Sequence, residues 1–173
     1  MGCVSEQSIH PGTRIGHVHL TVSDLERSVR FYTEVMGFEV TTNYGDSAAF
    51  MSAGGYHHHI AVNTWAGKGA PAPPAGTTGL YHFAILLPGR LELARTLRRI
   101  LDHGWPIEGA SDHGVSEAIY LSDPDGNGVE IYADRPEELW PRRDGRLEMG
   151  TRPLNLQGLL ADLDRSQAGK EVG

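Results

Sequence analysis

Two runs of eight residues, 15–22 (IGHVHLTV) and 80–87 (LYHFAILL), lie at an offset of 65 (80 minus 15) and carry the same pattern. Both alternate outward and inward side chains with the period of a half-buried β-strand. At that offset His17 falls on His82, Leu20 on Ile85 and Val22 on Leu87, while His19 falls on Ala84. An internal repeat of this kind means that one supersecondary unit is used twice. After the first run, Ser23 or Asp24 can cap a helix. Leu25, Val29, Tyr32, Val35 and Met36 then recur at helical spacing, and Gly37 ends the helix. Strands are expected over 38–42, 47–52 and 56–63. After the second run, Leu91, Ala94, Leu97, Ile100 and Leu101 form a helical stripe that Gly104 stops. Strands are expected over 105–109, 115–121 and 129–133. Each half thus reads β-α-β-β-β.

The halves give modules of about 14–65 and 79–135, joined by a Pro/Gly-rich linker at 66–78 that has no periodicity. Residues 1–13 read as a flexible lead. Residues 136–173 form a polar extension in which Leu154, Leu156, Leu159, Leu160 and Leu163 suggest a short helix that packs back.

Within the second module, 120–132 (YLSDPDGNGVEIY) reads as strand, tight turn, strand, with Gly126 and Gly128 free to take positive φ. Period two puts Glu130 and Tyr132 on one face, and Val129 and Ile131 on the other. Acidic residues are mostly exposed. A carboxylate buried here would need a cation, a hydrogen-bond shell or water. A lone strand histidine is usually structural. Two at equivalent positions of a repeated strand, together with a strand carboxylate, stand apart from that pattern.

At 173 residues and 39% hydrophobic content the chain can bury the core of one domain. No apolar run is long enough to span a bilayer. A net charge of −7 argues against nucleic acid or an anionic membrane as partner. The single cysteine, Cys3, excludes an internal disulfide framework. The start MGCVSE has Glu6 where a myristoylation signal wants Ser or Thr, and no signal-peptide pattern is present. A cytoplasmic location is therefore expected. Nine histidines are more telling, three of them consecutive: His57, His58 and His59.

The segments HVHLTVSDLERSVRFYTEVMGF, LYHFAILLP and DPDGNGVEIYADRP resemble the vicinal oxygen chelate superfamily, the fold of glyoxalase I, bleomycin-resistance proteins and type I extradiol dioxygenases. The resemblance covers about 14–135. It implies an α+β fold in which two βαβββ modules pair into one curled mixed sheet around a metal cavity. The first strand of each module and the last strand of the second line that cavity, which implies His17, His82 and Glu130 as metal ligands. Two imidazoles and one carboxylate suit non-haem Fe(II), and Mn or Zn is compatible with the same ligand types.

Glyoxalase-type sites add a carboxylate on the last strand of the first module. Here 56–63 holds no Asp or Glu and carries the histidine triplet instead. The resemblance to extradiol dioxygenases implies His58 as the acid–base residue, or His59 if the register is one off. It implies Tyr120, ten residues before Glu130, as a hydrogen-bond donor to substrate. Asp112 and His113 resemble an Asp-His pair in a loop bordering such sites, with His113 touching substrate or the His58 network. His59 and Asp112 are the further substrate-binding candidates. Gly109 stands where those enzymes often carry another histidine.

With one double module rather than two, the chain is most similar to short enzymes that cleave L-DOPA. The expected function is an extradiol dioxygenase that inserts both atoms of O2 into a catechol. A carboxylate-bearing substrate would want a cation, and Arg14, Arg135, Arg142 and Arg143 are the candidates. A glyoxalase-, epimerase- or thiol-transferase-type metalloenzyme would use the same ligands without O2, and a drug-binding protein would use no metal. Pairing of modules within one chain or between the two copies of a homodimer is left open.

Overall fold

Hydrogen-bonded pairing begins later in each first strand than alternation suggests. The computed structural model describes residues 8–74 and 76–171, so Cys3 and the first part of the expected lead lie outside the described residues. Strand β1 is Val18–Thr21, helix α1 is Leu25–Arg30, and β2 (Glu39–Tyr44), β3 (Ala48–Ser52) and β4 (Ile60–Asn63) follow. The second module repeats the order with β5 (Phe83–Leu87), α2 (Arg90–Asp102), β6 (Gly109–Asp112), β7 (Ser116–Ser122) and β8 (Gly128–Asp134). The first sheet has the order β1-β4-β3-β2, and the second repeats it as β5-β8-β7-β6. In both, the first and last strands of the module run parallel and the other pairs antiparallel. The two sheets are separate ladders among the described residues, where one continuous sheet was expected.

Asp24, not Ser23, caps α1: its backbone is extended and its carboxylate accepts the Arg27 N–H. The helix then widens into a π-helical turn at Phe31–Val35, which buries Phe31, Tyr32 and Val35 together. In α2 the buried stripe is Leu93, Ala94, Leu97 and Ile100, whereas the expected Leu91 and Leu101 are exposed. The strand expected over 105–109 starts only at Gly109. Trp105 is drawn away instead, with its ring against Phe31 and its Nε1–H on the Ser122 carbonyl.

Beyond β8 the extension forms a hairpin, β9 (Arg142–Arg143) and β10 (Arg146–Leu147), turned by Asp144 and Gly145 at positive φ. Strand β11 (Arg152–Pro153) adds to β6, and α3 (Leu156–Glu171), longer than the short helix expected, buries Leu159 and Leu163 and packs on α2. One core joins both modules, from Leu20, Val22 and Phe31 to Leu97, Ile119, Leu121 and Ile131. Each such buried side chain contributes roughly 1.5–3 kcal/mol of burial free energy.

The DPDGNG turn clasps the modules together. Asp123 is only 4% exposed. Its carboxylate accepts four hydrogen bonds: from Tyr32 Oη (2.9 Å), Asp125 N (2.9 Å), Asn127 N (2.8 Å) and Asn127 Nδ2 (2.9 Å). Asp125 accepts from Ser23, Arg27 and Ser28 around the start of α1. Gly126 has φ +84, as the turn requires. Gly128 is not among the glycines at positive φ. It is needed for space, because a Cβ there would stand 2.3 Å from the Tyr81 carbonyl oxygen and 3.0 Å from His82 Cβ.

Burial, and then the Asp123 charge, push the Tyr32 hydroxyl above its ordinary value of 10.0. Tyr32 therefore stays protonated in the folded chain when unfolded chains ionise. The resulting stability is complete below pH 10 and declines above it by about 1.4 kcal/mol per pH unit. Urea unfolding at pH 9 and pH 11.5 is expected to show that Tyr32→Phe loses about 2 kcal/mol less over this interval than the wild type. Equal losses in the two proteins would mean that Tyr32 ionises freely in the folded state.

Candidate active site

Alternation along β7 and β8 aims Tyr120 and Glu130 to one side, and the register pairs them directly. On the next strand Ala84 pairs with Glu130, so the side chain two residues earlier, His82, comes to the same face just before β5 begins. The close approach at Gly128 lets the start of β8 lie against His82. His82 Nε2 lies 2.9 Å from Glu130 Oε2, and the Tyr120 hydroxyl donates to Glu130 Oε1 at 3.2 Å. His113 Nε2 is 2.7 Å from the same hydroxyl, and His113 Nδ1 is 2.8 Å from the Gly150 carbonyl.

A carbonyl only accepts, so Nδ1 of His113 carries a proton. Neutral His113 then has Nε2 free to accept from Tyr120, while imidazolium would donate to it and turn the tyrosine proton towards Glu130. The chain Gly150–His113–Tyr120–Glu130 can therefore hold a proton at either end of the tyrosine oxygen. Burial, and then Glu130, push the Tyr120 hydroxyl up to about 12, so it is a donor at neutral pH.

A second group of rings lies on the first module. His17 is exposed and lies against His58, with ring centroids 4.3 Å apart. His57 and His58 share a hydrogen bond between their Nδ1 atoms at 2.8 Å, and Phe50 meets the His58 ring at 5.1 Å. Desolvation, then the neighbouring His17, His57, His19 and His59, lower the His58 pKa, which favours its neutral imidazole. His59 points elsewhere: its Nδ1 accepts the Ala53 N–H and meets Ser52 Oγ at 3.0 Å. Of the two candidates for an acid–base histidine, His58 is thus the one beside His17. His19, set aside by the repeat, accepts from Asn63 Nδ2 at 2.9 Å.

Asp112 is occupied by its own surroundings. Burial alone would raise its pKa, but the Gly114 N–H and the Arg135 guanidinium outweigh burial and lower it. Its oxygens accept from Gly114 N at 2.8 Å and from Arg135 Nη2 at 3.0 Å. The same Arg135 nitrogen reaches the buried Glu117 at 2.9 Å. Among the other candidate cations, Arg143 pairs with Glu148 at 2.8 Å and Arg142 with Glu137 at 3.6 Å.

The three expected metal ligands do not come together in one chain. His82 and Glu130 meet on the open face of the second sheet, and His17 stands on the first. Among the described residues no group of three or more His, Cys, Asp or Glu is placed to hold a metal ion. His82 and Glu130 fit two positions of a two-histidine, one-carboxylate set. Among the described residues no third such ligand stands beside them.

A model of the glyoxalase/bleomycin resistance protein/dioxygenase superfamily matches residues 14–131. The chain belongs to that superfamily. This member is 47% identical over 156 residues to the catechol-2,3-dioxygenase of Bacillus subtilis (strain 168), covering 90% of this chain and 54% of that one. It is 30% identical over 128 residues to biphenyl-2,3-diol 1,2-dioxygenase 3 of Rhodococcus globerulus, covering 72% and 67% of the two chains. A glyoxalase/dioxygenase crystal structure from Nostoc punctiforme matches the fold with a TM-score of 0.61 at 20% identity, over 77% of this chain and 100% of that one. The chain thus spans about half the length of the Bacillus relative. No described helix of this superfamily member is long and apolar enough to cross a membrane.

Spacing alone missed Asp123 and Asp125 as the clasp between modules, and Gly150 as the group that orients His113. The DPDGNG motif was visible, but its partners Ser23 and Tyr32 are 102 and 91 residues away from the carboxylates they meet. Gly150 carries no local signal at all.

Proposed function

We propose that this chain is an extradiol ring-cleaving dioxygenase, acting on a catechol and O2 with Fe(II) held by His17, His82 and Glu130. The observation that carries the reading is the polar chain His113–Tyr120–Glu130 beside His82 on an open sheet face. Relatives named for catechol and biphenyl-diol oxygenation support it. Bound iron would supply O2 activation and acidify the catechol hydroxyls. The Tyr120 hydroxyl, protonated at neutral pH, donates a hydrogen bond to a substrate oxygen and holds the ring in place. Neutral His58 takes the proton that the catechol loses and returns it as the ring opens. His113, when it donates from Nε2 to the tyrosine oxygen, leaves the single tyrosine proton free to be given to the substrate. The product is a ring-opened semialdehyde acid containing both oxygen atoms.

L-DOPA is the finer candidate substrate. Arg135, Arg142 and Arg143 already face carboxylates of the chain, so plain catechol is the first compound to try. After anaerobic Fe(II) loading, catechol is expected to consume O2 and give a visibly coloured product. Bound metal without O2 uptake on either compound would move the chain to the isomerase or transferase branch. Tyr120→Phe is expected to lower kcat roughly 10- to 100-fold, the loss of one positioned donor of about 1.4–2.7 kcal/mol. His58→Phe is expected to cost about 10²-fold or more. An indifferent His58→Phe beside a crippled His59→Phe would reassign the acid–base role.

A further inference from the structure

His113 meets Tyr120 on the open face of the second sheet, and what holds it there lies on the other face. Strands β6 and β7 pair Gly109 with Tyr120 and Asp112 with Glu117. A period of two sends Tyr120 to the open face, and Asp112 and Glu117 to the side of α2, where Glu117 meets Arg90. Two carboxylates directly opposite each other on paired strands repel. Arg135, just past the end of β8, stands between them. Its Nη2 donates to Asp112 Oδ2 at 3.0 Å and to Glu117 Oε1 at 2.9 Å. Glu117, whose side chain is only 8% exposed, is anchored from its other oxygen by Arg90, and Arg90 Nε donates to Asp162 of α3 at 2.9 Å.

The same arginine grips the turn that carries His113. Its backbone N–H donates to the Val115 carbonyl at 2.8 Å, and the His113 N–H closes the turn on the Ser116 carbonyl at 2.9 Å. The Asp112 carboxylate that Arg135 holds accepts the Gly114 N–H at 2.8 Å with its other oxygen. Among the described residues, Arg135 Nε is the buried side-chain polar atom left without a partner. A guanidinium placed for its own bonding would turn to satisfy that donor; this one stands where the two carboxylates put it. Asp112 and His113 are neighbours on opposite faces, so a shift of the carboxylate turns the peptide between them and moves the imidazole.

We propose that Arg135 is a positioning residue: by holding Asp112 beside Glu117 it sets the turn that presents His113 Nε2 to the Tyr120 hydroxyl. The inference rests on the ring-cleaving function proposed above, in which that hydroxyl donates to substrate. It gives Arg135 and Asp112 a part in turnover in place of the contact with substrate that their residue types suggest.

The test reads His113 directly. Carbon-edited proton spectra of the histidine rings are recorded on the full chain before iron loading, with the His113 signals assigned from His113→Gln. In Arg135→Met these signals should move towards those of a solvent-exposed imidazole, while those of His17 and His58 stay. After Fe(II) loading, kcat for catechol should fall roughly 10- to 100-fold at unchanged iron content, with KM altered less than about two-fold. In a His113→Gln background the same substitution should cost less than about two-fold, because residues that act as one unit are not additive. Asp112→Asn keeps an oxygen for the Gly114 N–H and removes the repulsion with Glu117, so it should fold even if Arg135→Met does not. It should move the His113 signals the same way, with a smaller loss of kcat. Unmoved His113 signals in the variants that fold, or an equal loss of kcat with and without His113, overturn the proposal. A wild type that holds iron and leaves catechol untouched overturns the ring-cleaving function instead, and the His113 signals alone then decide whether Arg135 sets the turn.

Discussion

Asp123→Ala is expected to cost roughly 3–5 kcal/mol of unfolding free energy, the range for opening a buried, fully bonded charge network. The substitution removes the acceptor of four hydrogen bonds and leaves the Tyr32 hydroxyl buried without its partner. The stranded donor carries the cost, because it loses water on folding and gains nothing in return. For a domain of this size the shift in Tm is about 6–20 °C. Asp123→Asn should cost less, about 1–2 kcal/mol. An amide oxygen can still accept from Asp125 N and Asn127 N, and its NH2 can turn to Tyr32, but it then faces the Asn127 amide. Urea unfolding followed by circular dichroism measures both. A loss below about 1 kcal/mol for the alanine variant would mean that the turn does not couple the modules.

Glu130→Ala is expected to reduce ring cleavage by on the order of 10³-fold or more and to release the metal, since an open-site metal depends on its only carboxylate. A stability loss of about 1–3 kcal/mol is expected as well, because the Glu130 side chain is only 13% exposed and its removal leaves the Tyr120 hydroxyl without that acceptor. A second readout does not depend on turnover. Burial and Glu130 together raise the Tyr120 pKa. Without the carboxylate, Tyr120 and, to a smaller extent, Tyr132 should titrate at lower pH than in the wild type, seen by ultraviolet absorbance. Full ring cleavage in the variant would sink the proposed function. An unchanged tyrosine titration would mean that Tyr120 and Glu130 are not in contact in solution.

Much of the fold was legible in the sequence because its signals are local. Alternation along β1, β5 and β8 told inward from outward side chains, and the repeat gave the same element order to both halves. Even the misreadings were local. Leu91 and Leu101 fit a helical stripe as well as Leu93 does, and only the direction of the sheet and of α3 chose between them. Residues 105–109 looked like a strand until Trp105 found Phe31 and the Ser122 carbonyl.

The candidate site was legible as a list of residues and not as an arrangement. Sequence by itself determined that His17 and His82 occupy equivalent strand positions, that Glu130 shares a face with Tyr132, and that a turn joins Tyr120 to Glu130. These statements follow from a period of two and an offset of 65 (82 minus 17), both readable along one chain. Only the tertiary structure decided that His58 rather than His59 lies beside His17, that Asp123 is buried among donors from both modules, and that His17 stands apart from His82 and Glu130. A strand's period states which way a side chain points and says nothing of how far one sheet lies from another. That distance is decided by how the inward faces pack, here through the shared core of Phe31, Leu97 and Ile131.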